Sequence, residues 1–314
     1  MKIINRQLLE NKIIDIHTHS VGVDLNHLRT GKYPVTQNIF DLSKIIACNG
    51  VDYAVTFPMP TTIYYNTNLI REKGLFEPSG FSDYPYQYEN YSLCKMISQL
   101  HLTNLIPFLS VSAQSKITEQ IEGILKLNEE FGIYGIKYHT TTERLDINAP
   151  QFAPFALLAQ DLNIPIMIHS AVSSIAHPNN VLKFARQYPL VRVCIAHCAR
   201  FCRDTLEKIK DDGLKNVFVD TAPFIRLCSM ALNSKDTLED GLQFNFNYPR
   251  IALRKFMEYI PTQVLWGTDI PWQNFMDESG HLITYEDEVA ILNDLSEVFI
   301  KTVMDNQLNY LFGF

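Results

Sequence analysis

The 314-residue chain is predicted to fold as an α/β protein, a single closed (β/α)8 TIM barrel, and three observations predict it. Eight short apolar runs recur along the length, each followed by a stretch with helical periodicity. Several of these runs are nearly continuous in Val, Ile, Leu and Phe, the pattern of parallel strands covered on both faces. No Gly-x-Gly-x-x-Gly follows the first run, which disfavours an open, nucleotide-binding sheet. With 46% hydrophobic residues the chain can bury one large core, so residues 1–314 are read as one domain.

Strands are expected at 13–19, 51–58, 104–111, 133–139, 164–169, 191–197, 216–221 and 264–269. Helices are expected at 39–48, 92–101, 115–131, 151–162, 179–188, 203–211, 248–259 and 286–303. Gly50, Gly132, Asn163 and Pro261 stand at helix-to-strand returns, where such residues end helices. Two connections exceed a plain turn, about 59–90 after the second strand and 223–247 after the seventh. Both leave C-terminal strand ends, the face on which barrel enzymes build their sites. The first carries Tyr64, Tyr65, Phe76, Phe81 and Tyr84, and serves equally well as a lid or as the contact of a homodimer.

Composition narrows the partners. Net charge is −7 and the basic residues are scattered, which excludes a nucleic-acid stripe. No apolar run is long enough to span a bilayer, so a cytoplasmic protein acting on a small molecule is expected, with no membrane partner. Cys194, Cys198 and Cys202 read as ordinary buried thiols, Cys194 on the strand face opposite His197 and the other two at a helix start.

The strand ends carry the chemistry. His17 and His19 close the first strand on one face, with Asp15 deeper on that face. Lys137 and His139 close the fourth strand, His169 the fifth, His197 the sixth and Asp269 the eighth. A barrel gathers these ends into one ring. Histidine nitrogens with a carboxylate suit zinc, and also manganese, iron or cobalt; the lack of thiolates argues against a closed, purely structural zinc site. An open position on such an ion would bind water and lower its pKa toward neutrality. A carboxylate within reach, such as Asp269, could accept that proton.

The motifs Ile-Asp-Ile-His17-Thr-His19, Gly135-Ile-Lys137-Tyr-His139, Pro165-Ile-Met-Ile-His169, Cys194-Ile-Ala-His197 and Leu265-Trp-Gly-Thr-Asp269-Ile-Pro together resemble the amidohydrolase superfamily. The likeness is greatest to the amidohydrolase-related branch, which holds metal-dependent hydrolases and also non-oxidative decarboxylases such as aminocarboxymuconate-semialdehyde decarboxylase. The resemblance implies that His17, His19, His169 and Asp269 hold a divalent metal, zinc for preference. It implies that His197 ligates a second ion or, beside a single one, polarises water or substrate, so that Asp269 and His197 are the catalytic pair. Lys137 is left between a metal-bridging carbamate, an ion pair with Asp15 or Asp269, and a hold on an acidic substrate, with the last two preferred. His139 is a substrate-orienting candidate, and Arg200 and Arg226 are candidate clamps for a carboxylate. Asp15 is assigned to orienting a ligand histidine or neutralising Lys137, and His27, His101, His177 and His281 are given no role. The expected activity is metal-dependent hydrolysis of a small amide, ester or lactone, with non-oxidative decarboxylation as the alternative.

Overall fold

The computed structural model describes residues 4–23, 36–233, 241–277 and 280–314; His27 and the 234–240 part of the second long connection lie outside these. Eight parallel strands form one sheet in sequence order: β1 Ile14–His19, β2 Tyr53–Phe57, β3 Leu105–Val111, β4 Gly135–Tyr138, β5 Ile166–Ile168, β6 Val193–Ile195, β7 Val217–Asp220 and β8 Val264–Leu265. The ring closes between β8 and β1, where the Ile16 amide donates to the Trp266 carbonyl at 3.1 Å and the Asp269 amide to His17 at 2.8 Å. The Gln307 side-chain amide reinforces that seam from the last helix by donating to the carbonyls of both Ile14 and Trp266. This is the predicted TIM barrel.

Two apolar layers hold it. Ile16, Phe57, Phe108, Met167, Cys194 and Phe218 fill the barrel interior, while the outward side chains pack beneath the helices. Cys194 thus faces inward, its sulfur 3.7 Å from an Asp220 carboxylate oxygen, rather than away from the site as alternation from His197 suggested. The reason is that β6 stops at Ile195, so strand alternation cannot be counted through to His197. The surrounding helices begin and end as their caps dictate: Asn38 accepts from the Phe40 and Asp41 amides, and Gly132 at φ 74° ends the helix Ile117–Phe131. The single last helix expected at 286–303 is two, Tyr285–Asn293 and Glu297–Phe312. Ser296 starts the second by accepting from the Phe299 amide, a cap that interrupts the apolar periodicity without spoiling it.

Neither long connection is plain loop. The first contains the helix Thr67–Lys73 and the start of Gln87–Gln99, and the second contains Phe224–Leu232. A buried chain of hydrogen bonds ties the first to the barrel, running from the Tyr65 hydroxyl to the Ser112 hydroxyl and from there to the Glu143 carboxylate. Burial pushes Glu143 up to about 8, so the folded protein holds a proton there that the unfolded chain, at 4.5, has released. Stability from this residue therefore falls as pH climbs between the two values and levels off above the higher one. Melting temperatures across that window should decline less steeply in Glu143→Gln than in the parent, and parallel curves would remove Glu143 as the cause.

Gly267, directly after β8, is forced by contact. A Cβ there would lie 2.9 Å from His17 Cβ and 3.1 Å from the His17 amide nitrogen, both held in the β1–β8 seam. Gly267→Ala is expected to cost about 1–3 kcal/mol by overpacking and to displace His17, read as a lower melting temperature together with weaker metal uptake.

Candidate metal centre

A register shift between Asp15 and Thr18 sets the first strand's geometry. Ile14 and Ile16 sit in the inner apolar cluster, so Asp15 between them faces outward, while beyond the shift His17 turns in against Phe57, with ring centroids 5.1 Å apart. Asp15 consequently neither touches an imidazole nor neutralises Lys137. Its carboxylate accepts from the His17 amide at 3.1 Å, the Thr268 amide at 3.1 Å and the Thr268 hydroxyl at 2.6 Å, stitching β1 to the turn that carries Asp269. That turn leaves Asp269 at φ 59°.

His17 Nε2 and His19 Nε2 each stand 3.3 Å from Asp269 Oδ1. Ligand atoms of these three residues lie within 4.8 Å of one another, all buried. Protons are assigned by partners that only accept. His19 Nδ1 faces the Pro58 carbonyl at 3.3 Å, which leaves the lone pair on Nε2. His197 Nδ1 donates to the Ala222 carbonyl at 2.6 Å, so its Nε2 accepts from His169 Nδ1 at 2.9 Å, and the His169 lone pair falls on Nε2. His139 has the opposite arrangement: its Nδ1 accepts from the Thr142 amide at 3.2 Å, so Nε2 bears the proton. Its ring stacks on His169 with centroids 3.9 Å apart.

Electrostatics keep this set ready for a cation. Burial depresses His19 to about 3 and His197 to about 4, so both rings are neutral near pH 7. Burial likewise holds His139 and His169 well below the ordinary value. Asp269 is buried too, yet the His17, His19 and His197 rings outweigh that penalty and keep it anionic. His17 differs: burial and Lys137 press its pKa down, but the Asp220 and Asp269 carboxylates prevail and hold it above the ordinary value. Imidazole nitrogens converging on a carboxylate oxygen suit a divalent metal, and no thiolate joins them. His169 does not fall within that tight group; it reaches the cluster through His197.

Lys137 Nζ lies 3.2 Å from His17 Nε2 and 4.6 Å from the centre of the Phe57 ring. Among the described residues no carboxylate forms an ion pair with it within 4.0 Å, so the contact with Asp15 or Asp269 preferred from sequence is not made. Burial pulls its pKa down to about 8, against the attraction of Asp220 and Asp269.

Above the cluster opens a cavity of about 290 Å³, lined by His19, His139, His169, His197, Arg200, Arg226 and Asp269 together with Pro60, Leu227, Met230 and Trp272. Arg226 donates to the Trp272 carbonyl, and the Trp272 ring covers His19 edge-on at 4.3 Å. Arg200 is carried by an unusual segment: His197, Cys198, Ala199, Arg200 and Phe201 all have φ between 47° and 64°. This left-handed turn replaces the helix start expected at Cys198, and Cys202 precedes the helix Arg203–Asp211. His177 caps the helix Pro178–Gln187, and His281 is exposed beside Asp287.

Asp220, at the end of β7, was not singled out from sequence although it obeys the same rule as the others, a polar residue closing an apolar strand. Its Oδ2 is 2.7 Å from His17 Nδ1, and its Oδ1 accepts from the His197 amide at 2.8 Å and the Ala222 amide at 3.1 Å.

The same fold recurs in solved structures at low identity. A probable 2-pyrone-4,6-dicarboxylic acid hydrolase from Acinetobacter baumannii, with citric acid bound, is 18% identical with a TM-score of 0.57, covering 96% of this chain and 100% of its own. A dihydroxybenzoic acid decarboxylase from a Polaromonas species, with manganese and 2-nitroresorcinol bound, is 12% identical at a TM-score of 0.63, covering 96% and 97%. 5-Carboxyvanillate decarboxylase from Sphingomonas paucimobilis is 11% identical at 0.61, covering 96% and 98%. At these identities they establish the fold, and no curated protein matches the sequence. The family model described as amidohydrolase matches residues 105–299, which is more than half of the chain and includes the β4, β5, β6 and β8 strand ends whose side chains face the cavity. The chain belongs to the amidohydrolase family.

Proposed function

We propose that the protein is a metal-dependent hydrolase of a small, carboxylate-bearing ester, lactone or amide. The observation that carries this reading is Asp269, an anionic carboxylate with Oδ1 against two imidazole Nε2 atoms and Oδ2 on the His197 side, 4.0 Å from Nδ1. A divalent ion held by His17, His19, Asp269 and His169, with zinc and manganese both compatible with these donors, would supply Lewis acidity toward water and a substrate oxygen. Asp269 Oδ2 takes the proton of the attacking water. His139 Nε2–H donates to the substrate carbonyl oxygen as negative charge grows there, a role its reversed tautomer suits. Arg200 and Arg226 hold the substrate carboxylate, while Leu227, Met230 and Trp272 pack its carbon skeleton.

Non-oxidative decarboxylation is the second reading, favoured by the arginine pair, since a cation-clamped carboxylate is also what a decarboxylase binds. It needs a proton delivered to carbon, and an Asp269 held anionic favours proton acceptance instead. Incubating the metal-loaded protein with a panel of carboxylated lactones, esters and aromatic acids in ¹⁸O-labelled water separates the two. Label entering the product supports hydrolysis; carbon dioxide release without label overturns it.

A further inference from the structure

We infer that Asp220 is a positioning residue that fixes the proton of His17 on Nδ1 and, with its other oxygen, seats the turn carrying His197; this rests on the metal-centre reading above. Asp220 is fully buried at the end of β7 and shares one carboxylate between the first strand and the turn that carries His197. Oδ2 meets His17 Nδ1 at 2.7 Å, and Oδ1 receives the His197 and Ala222 amides at 2.8 and 3.1 Å. A carboxylate there can only accept, so Nδ1 of His17 must donate, and in the neutral ring the lone pair lies on Nε2, which faces Asp269 and Lys137 Nζ. The Ala222 amide bound by Asp220 belongs to the residue whose carbonyl takes the His197 Nδ1 proton, so both rings are set from this short stretch of chain.

His17, His197 and Asp220 also form a group whose ligand atoms lie within 4.8 Å, which raises the alternative that Asp220 is itself a ligand. Four hydrogen bonds, that of the Cys194 thiol included, already engage its two oxygens, and a ligand role would break the His17 contact. A partner of this kind orients a ligand imidazole and raises its basicity.

The alternatives separate by nitrogen NMR on the metal-free, full-length protein with ¹⁵N-labelled histidine, His17 being assigned by the signal missing in His17→Gln. Between about pH 6 and 9 the His17 Nδ1 should remain protonated. In Asp220→Asn the amide oxygen keeps the two backbone donors and its NH2 faces His17, so the proton moves to Nε2. Manganese affinity should then fall about 10- to 100-fold with the fold retained by circular dichroism. Wild-type His17 protonated on Nε2 and not on Nδ1 overturns the assignment, as does an Asp220→Asn protein that keeps the wild-type tautomer or holds manganese within about twofold of it. Should Asp220→Asn not fold, the wild-type tautomer decides alone. Should wild-type protein bind neither manganese nor zinc, the metal reading fails while the tautomer still judges Asp220.

Discussion

Asp269→Asn is expected to lower kcat/KM by about 10³- to 10⁴-fold while leaving the barrel folded. Asparagine fills the same volume, so the seam bond from the residue-269 amide to His17 survives, along with the Asp15–Thr268 stitch beside it. What is lost is the negative charge between the His17 and His19 rings and the oxygen that receives a proton. In the proposed reaction Asp269 acts on the reacting water and not on the substrate's distant carboxylate, so the loss should fall mainly on kcat. A variant with unchanged melting temperature and undiminished turnover would sink the assignment.

Chelation is the second large effect. Removing the ion should abolish turnover, and one equivalent of manganese or zinc per chain should restore it. One ion is expected because the other clustered carboxylate, Asp220, already uses both oxygens in hydrogen bonds. Since binding to the folded state alone adds about 2.7 kcal/mol at a hundredfold excess of free ion over Kd, chelation should also lower the melting temperature by several degrees. Two equivalents by elemental analysis would instead revive a carbamate on Lys137 and a ligand role for His197.

Strand order and the polar strand ends were legible because a barrel interior demands apolar residues up to the rim, where Lys137, His169, His197 and Asp269 each break an apolar run. Asp220 breaks one as well, in Val-Phe-Val-Asp, and could have been found by the same rule. The facing of Asp15 could not, because the register shift in β1 overrides simple alternation and leaves no residue signature. The turn from His197 to Phe201 was equally hidden: left-handed backbone normally announces itself with glycine or asparagine, and none occurs in His-Cys-Ala-Arg-Phe. Such a conformation costs about 1–2 kcal/mol per residue and persists where the surroundings dictate it, here through Asp220 at one end and the Leu242 amide on the Phe201 carbonyl at the other. The ring-proton positions of His19 and His197 were also beyond reach, since they depend on carbonyls of Pro58 and Ala222 far away in sequence from the rings they face.

The seam between β8 and β1 imposes an order of events on a newly made chain. His17 leaves the ribosome early, but Asp269 follows some two hundred and fifty residues later, and Gln307, which bridges the Ile14 and Trp266 carbonyls, later still. The two carboxylate-imidazole contacts that define the site exist only once those ends meet. Nascent chain therefore offers no finished cradle to stray cations, and an ion held by these residues would be acquired only once the two ends of the barrel have met.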